Sequence, residues 1–241
     1  MKIFYHLSGK DSQSIIFYTV KGFSGPFATL LYRLKISANS VTIFRCLLVV
    51  YALYCFYTGE YSYYIQGAII LVLNLFLDFV DGDLARLHKN ETELGEWLEI
   101  VNDNLLSQAH SLIGFTMAYG IYKQTEMVAV WYVVFLIAYA VIVNNVLSKF
   151  SIHPSDIVDT MKSGFQSEYN KIMKKSFFSK LYFTSMHWDC FLILIAVILY
   201  NPIYSLTGLH PLFLVLAFIC IVSQVRWLSK FVLQIKYFLT K

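Results

Sequence analysis

Of the 15 Asp and Glu residues in the chain, eight lie between Leu77 and Asn104, in the stretch LDFVDGDLARLHKNETELGEWLEIVNDN. Residues at i, i+3, i+4 and i+7 share one helix face. Asp78, Asp81, Gly82 and Ala85 have that spacing, and Gly95, Glu99 and Asp103 stand at i, i+4 and i+8. Two helices joined by a short connection can therefore bring four carboxylates together. Gly82, Ala85 and Gly95 leave space for a bulky group to approach the backbone. Four like charges beside apolar segments persist cheaply only with counter-charge, and acid at a membrane edge is a functional feature by default. All-oxygen donors suit hard cations such as Mg²⁺ or Mn²⁺, and Arg86 adds a group suited to phosphate. Metal, arginine and carboxylate together fit chemistry on a pyrophosphate, with one carboxylate removing a proton from the nucleophile.

Two other readings use the same residues. A solvated acidic loop capping two helices accounts for Asp83, Glu91, Glu93 and Glu96. It accounts poorly for Asp78 and Asp103, which sit inside apolar periodic runs. A cation-binding transporter is the second, although such a protein prefers acid near the bilayer midplane, and this cluster lies at one end.

The surrounding elements must be membrane helices. The chain is 58% hydrophobic and 14% charged over 241 residues, against about 25% charged for a soluble domain. Backbone groups in a bilayer must be satisfied internally, so an all-α integral membrane protein is expected. The apolar runs predict about six transmembrane helices in one bundle, at 40–58, 61–80, 95–121, 126–148, 188–207 and 211–231. Of the 19 Lys and Arg residues only Lys123 falls in a short turn between spans. The others fall in the N-terminal segment, at the start of the first span (Arg45), in 81–94, in 149–187 or toward the C-terminus. The positive-inside rule then places both termini and the acidic stretch in the cytoplasm.

Residues 1–39 form a juxtamembrane segment in which FSGPFATLLYRLKISANS reads as an amphipathic helix on the inner leaflet. Residues 40–241 form the transmembrane catalytic domain. Its basic loop at 149–187 carries Lys162, Lys171, Lys174, Lys175 and Lys180 among aromatics, which suits anionic headgroups and membrane lipids; no nucleic-acid partner is expected. Cys46, Cys55, Cys190 and Cys220 show no ligand spacing, and no apolar signal-peptide core opens the chain.

The acidic stretch resembles the signature of the CDP-alcohol phosphotransferase family, class I: D-x2-D-G-x2-A-R-x8-G-x3-D-x3-D. Asp78, Asp81, Gly82, Ala85, Arg86, Gly95 and Asp103 match it at full spacing, and Glu99 stands where the third aspartate is usual. Many members also open the first span with Pro-Asn-x-x-Thr. Here Asn39 and Thr42 are kept, with Ala38 in place of proline. The resemblance implies transfer of a substituted phosphoryl group from a CDP-linked donor to an alcohol, with release of CMP, in phospholipid biosynthesis. It implies two divalent ions, Mg²⁺ or Mn²⁺, on Asp78, Asp81, Glu99 and Asp103. Asp103 is then also the catalytic base, and Gly82, Ala85, Arg86 and Gly95 form the CDP pocket. It further implies a homodimer in a bacterial or archaeal cytoplasmic membrane. The short six-span form looks more like members that take CDP-diacylglycerol as lipid donor and a small alcohol, polyol or polyol phosphate as acceptor.

Glu99 is one methylene longer than aspartate. It is expected to ligate from a shifted helix; a more tolerant metal such as Mn²⁺ and a catalytically impaired protein are the alternatives. Asn39, Thr42, Arg45 and Ser107 are candidate pocket residues, with Asn74, His110, Asn144, Asn145 and Lys149 as weaker ones. A buried Arg45 needs an anionic partner, either an acceptor phosphate or the carboxylates themselves.

Overall fold

The computed structural model describes residues 15–88, 92–108, 111–150 and 189–239. The candidate residue His110 and the basic loop from 151 onward lie outside them, as do residues 1–14. The helices are α1 (Ile15–Arg33), α2 (Ala38–Thr58), α3 (Tyr61–His88), α4 (Glu93–Ile100), α5 (Leu112–Thr125), α6 (Ala129–Phe150), α7 (Asp189–Ile198), α8 (Tyr200–Thr207) and α9 (Pro211–Leu239). A π-helical turn, Val101–Leu106, continues α4. No strand occurs among the described residues.

Local chemistry sets the helix ends that matter for the site. Ser37 caps α2 by accepting a hydrogen bond from the Ser40 amide at 3.2 Å, and Thr92 does the same for α4 through the Gly95 amide at 3.1 Å. Gly59 ends α2 at φ +75°, a left-handed conformation that costs a glycine little. The chain therefore reverses at once, and α3 packs back along α2.

The core is a continuous apolar cluster from α2, α3, α5, α6, α7 and α9. It includes Val49, Phe56, Tyr64, Met117, Val134, Ile193 and Leu216. Helices approach closely where side chains are small. A Cβ at Gly120 of α5 would collide with the Phe56 carbonyl oxygen and come within 2.8 Å of the Tyr64 hydroxyl. A second cluster, Ala28, Val41, Leu77, Val80 and Leu84, ties α1 to α2 and α3 at the other end of the α2–α3 hairpin.

The outer surface is apolar. Ile43, Phe44 and Leu47 on α2, Tyr132, Phe135 and Leu136 on α6, and Phe218, Ile221 and Val225 on α9 are all exposed. Contiguous apolar surface of this extent belongs against lipid. Among the described residues, three segments are long and apolar enough to cross a bilayer: Ala38–Thr58, Ala129–Leu147 and Pro211–Ser229. The pair α7–α8 makes a fourth if it is one broken span.

Three expectations about the elements change in detail. The stretch 188–207 is not straight: it bends by 81° between α7 and α8. Leu199 leaves the helical region at φ −92°, ψ 26°. Pro202 follows, and a proline ring crowds the carbonyl four residues earlier. The stretch 95–121 is not one helix either. It passes from α4 into the π turn, breaks, and restarts at Leu112. At the N-terminus, the helix covers Ile15–Arg33, beginning and ending earlier than the amphipathic stretch read from the sequence. Ser24 and Ala28 are buried, while Phe23, Phe27 and Leu30 are exposed.

Candidate active site

Three elements meet at one end of the bundle. The first two turns of α2 bring Asn39, Thr42 and Arg45, spaced i, i+3 and i+6 on one face. The last three turns of α3 bring Asp78 to Arg86. The third element is α4 with its π turn, carrying Gly95, Glu99 and Asp103. A π turn widens the backbone by one residue and is frequent at functional sites. Here the Ser107 amide bonds the Asn102 carbonyl at 2.9 Å. The fully buried Asn102 side chain faces inward and donates to Asn74 Oδ1 and to Asp103 Oδ1, each at 3.3 Å.

Arg45 organises the carboxylates. It is 1% exposed. Its Nη2 lies 2.6 Å from Asp78 Oδ1 and 3.5 Å from Asp103 Oδ1, and its Nη1 lies 2.7 Å from Asp81 Oδ2. The two readings of its partner are thus resolved within the protein: a planar fork binds several carboxylates at once, as a lysine point charge cannot. Asp81 Oδ2 also accepts from Thr42 Oγ1 at 2.9 Å. Burial pushes the Asp81 carboxyl up to about 6, against the opposing pull of Arg45.

The four expected metal carboxylates do not all converge. Asp78, Glu99 and Asp103 can each offer an oxygen such that all three lie within 4.8 Å of one another. Oxygens on opposite sides of a Mg²⁺ sphere of 2.0–2.1 Å radius are about 4 Å apart, so this trio fits a hard divalent cation after a small closure. Asp81 stands outside it, drawn aside by Arg45 and Thr42. The extra methylene of Glu99 does not keep its oxygen out of reach. Arg45 engages Oδ1 of both Asp78 and Asp103, which leaves Oδ2 of each.

Two cavities flank the trio. The larger, about 450 Å³, is lined by Asn39, Thr42, Asp81, Gly82, Ala85, Arg86, Gly95 and Glu99; small-molecule sites run about 300–1,000 Å³. The smaller, about 100 Å³, is lined by Arg45, Asn74, Asp78, Asp103, Ser107, Gln108 and Asp189, among others. The twelve candidate residues thus all line one cavity or the other. Asn144 and Asn145 line neither.

The glycines differ in purpose. A Cβ on Gly95 would stand 2.8 Å from Asn39 Oδ1 and 3.1 Å from Thr92 Oγ1, two atoms already hydrogen-bonded to each other at 3.0 Å. A side chain at Gly95 would therefore displace the Asn39–Thr92 hydrogen bond that links α2 to the start of α4. Among the described residues a Cβ on Gly82 would meet only the Arg86 guanidinium, at 3.8 Å, so no packing contact among them requires a glycine there. If this cavity takes CDP, as the resemblance implies, Gly82→Ala is expected to unfold at the wild-type temperature while binding CDP about tenfold more weakly, since a methyl group fills ligand space; thermal unfolding and a CDP titration check this together.

Sequence reasoning missed several contributors. Asp83, read as solvated, is 2% exposed and bonded to Ser24 and Arg86. Glu93 and Glu96 are exposed as expected, yet they line the larger cavity. Thr92 bridges Asn39 and Gly95, and its cap position three residues before Gly95 was a usable signal. Asp189 enters from a distant part of the chain with no local pattern to mark it, whereas Gln108 directly follows the candidate Ser107.

The family profile described as CDP-alcohol phosphatidyltransferase matches residues 35–223. No curated protein matches the chain at a significant level. The matched stretch takes in α2 through the first half of α9 as far as residue 223, and with it every residue assigned above to the two cavities and the carboxylate trio, so this chain belongs to the CDP-alcohol phosphatidyltransferase family.

Proposed function

We propose that this protein is a metal-dependent phosphotransferase that uses CDP-diacylglycerol as donor and a small polar alcohol as acceptor. The observation that carries the reading is the placement of the carboxylate trio between two cavities of unequal size. The larger holds the cytidine diphosphate moiety, with Gly82, Ala85 and Gly95 giving room and Arg86 meeting the pyrophosphate. The smaller holds the acceptor, between Asn74, Ser107 and the Asp103 carboxylate. Asp78, Glu99 and Asp103 are the residues that hold Mg²⁺ or Mn²⁺. When bound, such ions neutralise charge on the pyrophosphate. Asp103 takes the acceptor hydroxyl proton, the alcohol oxygen bonds to the phosphorus of the diacylglycerol phosphate, and the pyrophosphate bridge breaks to release CMP. Arg45 holds Asp78 and Asp103 in place without entering either bond change.

The same reading puts this end of the bundle at the cytoplasmic face, with α1 on the inner leaflet, six membrane passes and a homodimer. The distribution of Lys and Arg supports the orientation, the exposed apolar surface supports the membrane passes, and the homodimer rests on the family alone.

The direct test is purified protein with Mg²⁺ or Mn²⁺, CDP-diacylglycerol and pooled alcohols, following CMP. Metal-dependent release is expected, and no release with any donor and acceptor overturns the reading. Within that assay Glu99→Asp keeps activity, whereas Glu99→Ala loses at least the roughly 10–100-fold that disturbing even an outer-shell partner of a metal costs. Equal activity in Glu99→Ala would remove Glu99 from the ligand set.

A further inference from the structure

Asp83 lies one residue beyond the glycine of the acidic motif and faces away from the metal carboxylates. Both of its oxygens are used. Oδ2 accepts from Ser24 Oγ at 3.0 Å, and Oδ1 accepts from Arg86 Nη1 at 2.8 Å. Ser24 is on α1 and fully buried. Arg86 is 43% exposed at its side chain, lies over Gly82 and lines the larger cavity. A buried carboxylate is costly unless paired and hydrogen-bonded, so Asp83 has a strong preference for this one arrangement of Arg86. With Nη1 engaged, the guanidinium still has N–H donors on Nη2 and Nε. An exposed arginine would otherwise sample many rotamers; here one edge is anchored and the other is left for a ligand.

We infer that Asp83 is a positioning residue: it fixes Arg86 at the larger cavity, and through Ser24 it makes that position depend on the docking of α1 against α3. The ligand class is a nucleoside diphosphate, so the inference rests on the assignment of this cavity to the CDP moiety. It gives α1 a role beyond membrane attachment, because displacement of α1 removes one of the two groups holding Asp83.

The experiment is a titration of purified full-length protein with CDP in Mn²⁺, beside initial rates with the CDP-linked donor and thermal unfolding. Asp83→Asn is expected to bind CDP about tenfold more weakly, the scale of one lost charged hydrogen bond, and to raise KM for the donor by the same factor. Its kcat at saturating donor should stay within about threefold. Ser24→Ala should weaken CDP binding about threefold, and the double variant should be no weaker than Asp83→Asn, because the two act through one link. If Asp83→Asn does not fold, Ser24→Ala decides alone. Wild-type CDP affinity in the folded variant, or a fall in kcat with unchanged binding, would overturn the inference. Failure of the unaltered protein to bind CDP would instead sink the donor assignment, and this inference with it.

Discussion

Asp103→Asn should release CMP about 10²–10⁴-fold more slowly than the unaltered protein at saturating metal, donor and acceptor, the range that a positioned general base contributes. The side chain is nearly isosteric, and its retained oxygen can still accept from Arg45 Nη2 and Asn102 Nδ2, which reach Asp103 Oδ1 at 3.5 and 3.3 Å. The π turn that presents it should therefore persist. What is lost is the second carboxylate oxygen, which in the proposed mechanism accepts the acceptor proton. CDP binding should survive, because Asp103 lines only the smaller cavity. A variant that binds CDP normally and also turns over normally would show that another group is the base.

The second large effect is on stability. Arg45 is buried among Asp78, Asp81 and Asp103, so Arg45→Met leaves three carboxylates without their cation. Breaking a buried ion pair by removing one partner costs about 3–5 kcal/mol, and a metal-free variant should unfold at a clearly lower temperature. Arg45→Lys should recover only part of the loss, since an ammonium cannot bridge three carboxylates as a planar fork does. Divalent cations supply the missing charge. Mn²⁺ should therefore raise the unfolding temperature of Arg45→Met more than that of the unaltered protein, by linkage to the folded state. Detergent-solubilised protein, scanned with chelator and then with Mn²⁺, gives both numbers. Equal temperatures with chelator, or equal shifts with metal, would show that Arg45 is not the internal counter-ion.

These effects depend on features that were unequally readable. The stripe of Asp78, Asp81, Gly82 and Ala85 was legible because helical periodicity is local. Asn39, Thr42 and Arg45 fall on one face for the same reason. The apolar exterior was legible from composition. The break after the π turn was not, because polar residues such as Asn102 and Ser107 are compatible with a continuous helix until their partners are known. Nor was the bend before Pro202 given weight, although a proline inside an apolar run is a usable warning. Asp83 was misassigned because a charge next to a loop is ordinarily solvated, and its partner Ser24 lies 59 residues away.

By itself, the sequence determined which residue types stand on which helix face: covalent spacing and 3.6 residues per turn fix that without any neighbour. It therefore determined the acidic motif, its small residues and the apolar helices that carry it. Only the tertiary structure decided which faces meet. It put Arg45 against carboxylates 33, 36 and 58 residues away, left Asp81 outside the carboxylate trio that includes Glu99, and buried Asp83 against α1. The physical reason is that desolvated charges are settled by whatever partner packing brings within hydrogen-bond reach, and that partner is chosen by the fold as a whole.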